Sequence, residues 1–204
     1  MVSTSDTVGD RAKQERRRQI LAAAKSVFAY AGYHGASIHA IIERAQIARG
    51  TFYLYFESKA AVFDSILDHA MSDLRARIKR IEVEDKSAPA PQVQLRDQVV
   101  AILDYIVGDR ALATLLLSAG HTPEAEASER LEQFFTEVRQ LLERALETGM
   151  EIGLTRKCNV ELAAAALLGM IRGVIEHVIR ADGKTTVDEV VTEMLMVALR
   201  GVLA

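Results

Sequence analysis

Apolar residues in this chain recur at spacings of three and four, segment after segment, and most of these segments open on a capping residue or close on glycine. Such spacing lines the side chains along one stripe of an α-helix, whereas a half-buried strand would need strict alternation. Ile20, Ala24, Val27, Phe28 and Ala31 form the first stripe. Gly32 then stands where a left-handed stop belongs, and Tyr33 can fold apolar surface back onto the last turn. Only 3 prolines interrupt 204 residues of which half are apolar, so the expected class is all-α with a well-supplied core.

The punctuation sets the element order. Residues 1–13 are polar and aperiodic and are expected to form a flexible arm, with the first helix starting near Gln14. Ser37 is a good N-cap for a short second helix to Arg44 or Ala45, with Ile38, Ile41, Ile42 and Ala45 facing inward. After a tight connection, Gln46–Ala48, a third short helix runs from Arg49 to Tyr55. Ser58 opens a fourth, whose apolar series Phe63, Ile66, Leu67, Ala70, Met71, Leu74, Ile78 and Ile81 persists for about six turns, enough to join two domains.

Residues 82–91 carry charges, serine and two prolines without a period and read as a loop. Five more helices are expected beyond it: Gln92–Val107, stopped by Gly108; a short one from the cap Asp109 to Ala119; a long one opened by Thr122 and Pro123 and ended by Gly149 and Gly153; Val160–Ala181 behind the cap Asn159; and a last one from a Thr186/Glu189 capping box to the terminus. About nine helices result. The eighth is apolar nearly all round and must be covered on more than one side.

Several function classes drop out on composition. The single cysteine, Cys158, forms no disulfide within the chain, and neither His34 nor His39 has a cysteine or carboxylate at ligating spacing, so no metal is expected. The sequence has no glycine-rich phosphate loop on a strand and no nucleophile triad or paired carboxylates, so neither an enzyme nor a cofactor is expected. The first twenty residues are polar, and no later run reaches about 18 uninterrupted apolar residues. A cytoplasmic chain that meets no membrane is the expectation.

Charge is distributed unevenly. The whole chain carries -3, but residues 1–60 hold nine Lys and Arg against five acids, a net of +4, which leaves -7 for the remainder. A basic head on an acidic body suits a chain of which one part meets a polyanion.

Residues 37–56, SIHAIIERAQIARGTFYLYF, place two short helices about a tight turn, the composition of a helix-turn-helix. Gly50 lacks a side chain, so a sugar-phosphate backbone could approach the third helix closely. Arg49 offers a fork of donors, Thr51 a hydroxyl and a methyl, and Tyr53 and Tyr55 phenols, whereas Phe52 and Phe56 can only pack. Phe52, Tyr55 and Phe56 share one helical face and Tyr53 lies on another, so one tyrosine is expected to be partly packed. Lys59 adds a cation for phosphate. Arg16, Arg17 and Arg18 could also sit near the DNA backbone, but three adjacent residues fan round a helix and cannot all point one way.

Residues 16–67, RRRQILAAAKSVFAYAGYHGASIHAIIERAQIARGTFYLYFESKAAVFDSIL, resemble the N-terminal domain of the TetR family of bacterial regulators, most specifically in ILAAAKSVFAYAGY and GTFYLYFESK. The resemblance implies a DNA-binding transcription regulator, a repressor released from double-stranded operator DNA by a small-molecule effector. It implies a reading domain over 14–57 and a ligand-binding and dimerisation domain over 58–204. By position it implies Ser37 as a backbone contact, Arg49, Thr51 and Tyr53 as recognition contacts, and Tyr55 and Lys59 as phosphate contacts. Two positions depart from the family pattern: Gln46 stands where glycine is usual in the turn and could have to accept an unfavourable left-handed conformation at roughly 1 kcal/mol, and Ala48 stands where a hydroxyl often caps the recognition helix. They keep a second reading open, a helical ligand-binding module whose reading head has lost its function.

The resemblance also implies a homodimer built on the last two helices. Gly169 and Gly173, set among alanines, would let another helix come close, and Met194, Leu195 and Ala198 extend the candidate interface; the other reading of the eighth helix is the core of a monomer. Pocket candidates for a largely apolar effector are His69, Tyr105, His121, Phe134 and Phe135. Arg172 and Glu176 stand one turn apart and could pair; with His177 they could line a pocket, bridge an interface or face solvent.

Overall fold

The computed structural model describes residues 4–85, 87–118, 125–181 and 185–202, and every regular element among them is a helix. In chain order these are α1 (Thr4–Gly35), α2 (Ile38–Ala45), α3 (Arg49–Tyr53), α4 (Lys59–Arg77), α5 (Pro91–Gly108), α6 (Arg110–Leu117), α7 (Ala125–Glu151), α8 (Val160–Ala181) and α9 (Val187–Val202). The expected opening of the seventh helix at Thr122 and Pro123 lies outside the described residues.

Capping chemistry fixes most boundaries. Ser37 Oγ accepts from Ala40 N at 3.1 Å, Ser58 Oγ from Ala61 N at 3.1 Å, Asp109 Oδ1 from Leu112 N at 3.0 Å and Asn159 Oδ1 from Leu162 N at 3.1 Å. Each satisfies a backbone donor that the first helical turn leaves without a partner. The capping box forms as read, with Thr186 N donating to Glu189 Oε2 at 2.9 Å and Glu189 N to Thr186 Oγ1 at 3.2 Å. Those bonds hold the Glu189 carboxyl below its ordinary range.

Two boundaries differ from the sequence reading. α1 begins at Thr4 rather than near Gln14, so residues 9–13 are helix and not a flexible arm. The packed part of α1 has already met the cost of nucleation, and extending it residue by residue through a stretch without proline costs little. At its other end α4 stops at Arg77, short of Ile78 and Ile81, which lie beyond the helix on the approach to the loop.

The described residues divide into two compact units, one drawn from Met1–Ala70 with Ser118–Leu131, the other from Met71–Leu117 with Glu132–Ala204. The unit around the helix-turn-helix is thus larger than residues 14–57, since it takes in α4 as far as Ala70. Its core is the α1 stripe of Ile20, Ala24, Val27 and Phe28 with Ile41 and Ala45 of α2, Phe52 of α3, Phe56 just after it, and Val62, Phe63, Ile66 and Leu67 of α4, all buried. The second unit buries Leu103 and Ile106 of α5, Leu112, Leu115 and Leu116 of α6, Phe134 of α7, Ile175 and Val178 of α8, and Val190, Val191 and Met194 of α9. An ion pair between Arg96 and Asp188 ties α5 to α9, and Arg110 Nη2 donates to Ile179 O at 3.1 Å near the end of α8.

Among the described residues, three take left-handed backbone. Gly32 (φ 68, ψ 171) breaks α1 into two helical pieces in a conformation open essentially to glycine alone, and Gly153 (φ 72) ends the run after α7. Gly149 has a different part from a helix stop. It lies inside α7, its carbonyl accepts from Leu154 N and Thr155 N, and a Cβ there would lie 2.3 Å from Thr155 Oγ1. The third residue is Gln46 (φ 52, ψ 47), which ends α2 in the strained conformation expected of it. Replacements at two of these sites should move stability in opposite directions. In urea unfolding, Gly32→Ala should lower stability by about 1–3 kcal/mol, whereas Gln46→Gly, at an exposed turn, should raise it by up to about 1 kcal/mol. Shifts of the same sign would contradict the backbone assignment.

Candidate DNA interface

The turn between α2 and α3 is closed by backbone bonds, Gln46 N to Glu43 O at 3.1 Å and Ile47 N to Ile42 O at 3.3 Å. α3 follows with Ala48 extended at its N-cap (φ -72, ψ 150) and no side-chain bond there, as the missing hydroxyl requires. Phe52 and Phe56 turn inward and are fully or almost fully buried. Arg49 and Gly50 stand exposed, Tyr53 is 45% exposed, and Thr51 and Tyr55 are half-buried. Tyr55 is therefore the more packed of the two tyrosines, in keeping with the face it shares with Phe52 and Phe56.

Arg49 stacks its guanidinium 5.9 Å from the centre of the Tyr53 ring, and that ring meets Phe52 edge-on at 5.4 Å. The buried phenylalanine thus steadies the tyrosine, and the tyrosine steadies the arginine. A Cβ built on Gly50 would meet nothing within 4 Å, so no internal packing demands glycine there and the space beside it is open. Ser37, although exposed, already uses its hydroxyl as an acceptor at the α2 N-terminus.

The cations of the head divide into distinct tasks. Lys59 does not extend toward the α3 surface: its Nζ donates to Tyr33 O at 2.8 Å and Ala36 O at 3.3 Å and lies 4.2 Å over the Tyr33 ring. The carbonyls left over where α1 ends attract a cation, and that accounts for this placement of the ammonium group. Arg17 turns inward, with Nη2 donating to Ser65 Oγ at 2.6 Å, Nη1 to His69 Nε2 at 3.2 Å, and its guanidinium 5.1 Å from the Phe56 ring. Arg18 pairs with Glu15, one turn back, at 3.5 Å. Arg16 bonds Gln19 Oε1 at 2.7 Å, while Gln19 Nε2 donates to Ala45 O at 2.7 Å, so Gln19 links Arg16 to the end of α2. Nothing in the local sequence pattern distinguished Gln19 from an ordinary surface residue.

The described pocket candidates each have neighbours of their own. His69 belongs to the first unit, where Nδ1 donates to Ser65 O at 2.7 Å and Nε2 accepts from Arg17. His121 lies outside the described residues. In the second unit Tyr105 carries the Arg77 guanidinium 4.1 Å over its ring. Burial first, and then a hydrogen bond to Asp73, push its phenol well above the ordinary value, so it stays a neutral donor. Phe134 is buried and meets half-buried Phe135 edge-on at 5.5 Å. Arg172 stacks 4.6 Å over Phe135, and Glu176 bonds Arg180 at 2.5 Å. Aromatic rings and a forward i,i+4 partner compete for the same arginine and glutamate.

The last two helices leave an apolar face outward. Gly169 and Gly173 are exposed, and a Cβ on either would meet nothing within 4 Å. Leu162 is 69% exposed and Val197 67%, with Met196 also exposed. Met194 is buried within its own subunit and cannot lie at the surface, while Leu195 and Ala198 are half-buried. Leu162, Met196 and Val197 went unassigned because the α8 and α9 sequences are apolar on several sides, and only the packing shows which side is taken. Among the described residues α8 is the one helix long and apolar enough to cross a membrane, although it has no uninterrupted apolar run of that length.

Comparison with known proteins agrees with both parts of the chain. Residues 20–66 match the model of bacterial regulatory proteins of the tetR family, and residues 88–202 match a tetracyclin repressor-like C-terminal domain. The chain is 28% identical over 200 residues to the HTH-type transcriptional repressor KstR2 of Rhodococcus jostii, covering 96% of this chain and 94% of that one. It is 25% identical over 173 residues to the fatty acid metabolism regulator protein of Bacillus subtilis, covering 84% and 88%. Against another Bacillus subtilis regulator, YuxN, the match spans 42% of the relative's length. Among solved structures, the regulator FadR of Bacillus subtilis in complex with stearoyl-CoA superposes with a TM-score of 0.75 at 22% identity, over 90% of this chain and 98% of that one. With one family model on the helix-turn-helix head and a second on more than half of its length, the chain belongs to the tetR family of bacterial regulatory proteins, DNA-binding transcription regulators that respond to ligands.

Proposed function

We propose that this regulator is a homodimeric repressor working on operator DNA in the cytoplasm, and that a small, largely apolar molecule bound in its second unit releases it. The observation that carries the reading is the outer side of α3. Arg49, Gly50, Thr51 and Tyr53 stand at the surface there, held from behind by the buried Phe52. In a helix-turn-helix the recognition helix offers such residues to base edges in the major groove, with the flanking groups on phosphates. Lys59 serves as a clasp on α1 in this reading, and Tyr55 and Ser37 remain backbone contacts.

With an operator selected from random duplexes, Thr51→Ala or Tyr53→Phe should each weaken binding about fivefold, the equivalent of roughly 1 kcal/mol for one hydrogen bond. The melting temperature should hold, because neither side chain is buried. Unchanged operator affinity in both variants would remove these residues from the interface.

The dimer reading draws on the outward face of α8 and α9. Contiguous exposed apolar surface on a soluble chain marks a contact site, and the two glycines allow a facing helix to come close. Two heads related by a two-fold axis then meet half-sites about 34–36 Å apart, or a multiple of that. Gly173→Leu should convert dimer to monomer in sedimentation and lower operator affinity with it. Its own subunit has room for the side chain, so unfolding does not explain the loss. A wild-type chain sedimenting as a monomer at micromolar concentration would overturn this.

For the effector, support comes from the regulator solved with stearoyl-CoA and from the 25% identity to a fatty acid metabolism regulator. α4 is the proposed lever. It leaves the first unit at Ala70 and continues to Arg77, where Asp73 and Arg77 engage Tyr105, and Arg75 Nη2 bonds Glu137 of α7 at 2.7 Å. A ligand shifts the equilibrium only by its preference for the non-binding state, about 1.4 kcal/mol for each tenfold loss of operator affinity. Stearoyl-CoA and other lipophilic molecules that raise the melting temperature should also weaken operator binding. Stabilising molecules that leave operator affinity unchanged would defeat release by ligand without touching the DNA reading.

A further inference from the structure

The match to the reading-domain model begins at residue 20, yet α1 begins at Thr4, so several turns of helix stand ahead of the matched region. One side of those turns is not bare surface. Gly9, Ala12, Lys13 and Arg16, spaced at three, one and three, line an open groove of about 540 Å³ whose other wall is Leu54 and Tyr55 at the end of the recognition helix. Leu54 is 80% exposed, an unusual placement for a large aliphatic side chain next to two tyrosines that face outward or half outward.

We propose that this groove holds a stretch of DNA sugar-phosphate backbone, with Lys13 and Arg16 as phosphate contacts and Leu54 and Ala12 as an apolar rest for a deoxyribose. The inference rests on the DNA-binding reading and extends the interface to Ala12, Lys13 and Arg16, which neither the helix-turn-helix nor the matched region includes. Three observations converge on it. The groove lies against the end of α3, with Leu54 and Tyr55 directly following Tyr53 in its wall. Its polar components are two exposed cations and a phenol, with no carboxylate among the lining residues. Gln19, itself anchored to Ala45 O, holds the Arg16 guanidinium through its amide oxygen and so limits the entropy lost on binding phosphate. The glycine and alanine on the same stripe put no bulky side chain into the groove.

The neighbouring cations supply an internal control. Arg18 carries the same charge on the same helix but pairs with Glu15 and lies outside the groove. Phosphate contacts are counted by the slope of log affinity against log salt, about 0.9 for each phosphate neutralised on B-DNA. The test is anisotropy titration of a mixed-sequence duplex, over roughly 50–200 mM salt, with the full-length wild type, Lys13→Ala/Arg16→Ala, Arg18→Ala and Leu54→Ala. The double variant should reduce the slope by about 1.8 for each head on the duplex, roughly 3.6 for a dimer with both heads bound, and weaken binding to every duplex alike. Arg18→Ala should leave the slope in place, and Leu54→Ala should weaken binding at an unchanged slope. All of these side chains are exposed, so melting temperatures should match the wild type. An unaltered slope in the double variant, or an equal reduction in Arg18→Ala, would overturn the groove as a phosphate site while leaving helix-turn-helix binding intact. A wild type without salt-dependent duplex binding would overturn both.

Discussion

Where α1 ends, five residues meet, and the geometry of the reading head follows from how they meet. Gly32 takes a backbone conformation closed to other residues, and the turn it makes brings the Tyr33 ring back onto Phe28 at 5.6 Å, stacked. Phe63 of α4 then meets both rings edge-on, at 5.3 and 4.9 Å, an arrangement that aromatic quadrupoles favour. Lys59, one turn earlier on α4, closes the cluster by taking up the Tyr33 and Ala36 carbonyls. α1 and α4 are thereby fixed to each other, and α2 and α3 must fit on the frame they make. The same contact explains why a lysine in a DNA-binding head is drawn inward: backbone carbonyls at a helix end and an aromatic face compete successfully for its charge.

Arg16, Arg17 and Arg18 show how a run of like charges is divided by a helix. Successive residues are turned about 100° apart, so the three guanidinium groups meet three environments. One is oriented by Gln19 beside the groove, one is drawn into the α1–α4 seam against Ser65, His69 and Phe56, and one pairs with a neighbouring glutamate. Net charge says that the head favours a polyanion, but an arginine already holding a serine, a histidine and a ring contributes to packing before it contributes to binding. In the same unit Arg130 of α7 bonds Asp64 at 2.6 Å and Asp68 at 3.2 Å on α4, which adds a second polar seam along the helix proposed as the lever.

The surface of α8 and α9 presents the opposite situation, apolar area without a partner in its own subunit. Only 17% of the most apolar window of α8 is buried, although the helix supplies Ala164, Ile175 and Val178 to the core. Small residues on the outward side lower the cost of leaving that face exposed and also let a second helix approach closely. A homodimer is the proposed resolution, and it accounts for glycine at two positions where nothing inside the subunit requires it.

The helices, their caps, the Gly32 stop, the inward phenylalanines of α3 and the strained Gln46 were all legible in the sequence, because each is set by forces acting within a turn or two: periodicity, an N-cap hydroxyl, the steric freedom of glycine. The matched family patterns gave the reading head for the same reason, since the helix-turn-helix is a local motif. What stayed out of reach depends on residues far apart in the chain. The inward turn of Arg17 and Lys59, the stacking of Arg172 on Phe135, the burial of Met194 and the exposure of Met196 and Val197 were decided by which helix lies alongside. Length of the first helix was decided by propagation from a packed segment, which composition alone does not register. Local geometry chooses the elements, and only tertiary packing chooses which of several chemically able side chains faces the core, a neighbour or the DNA.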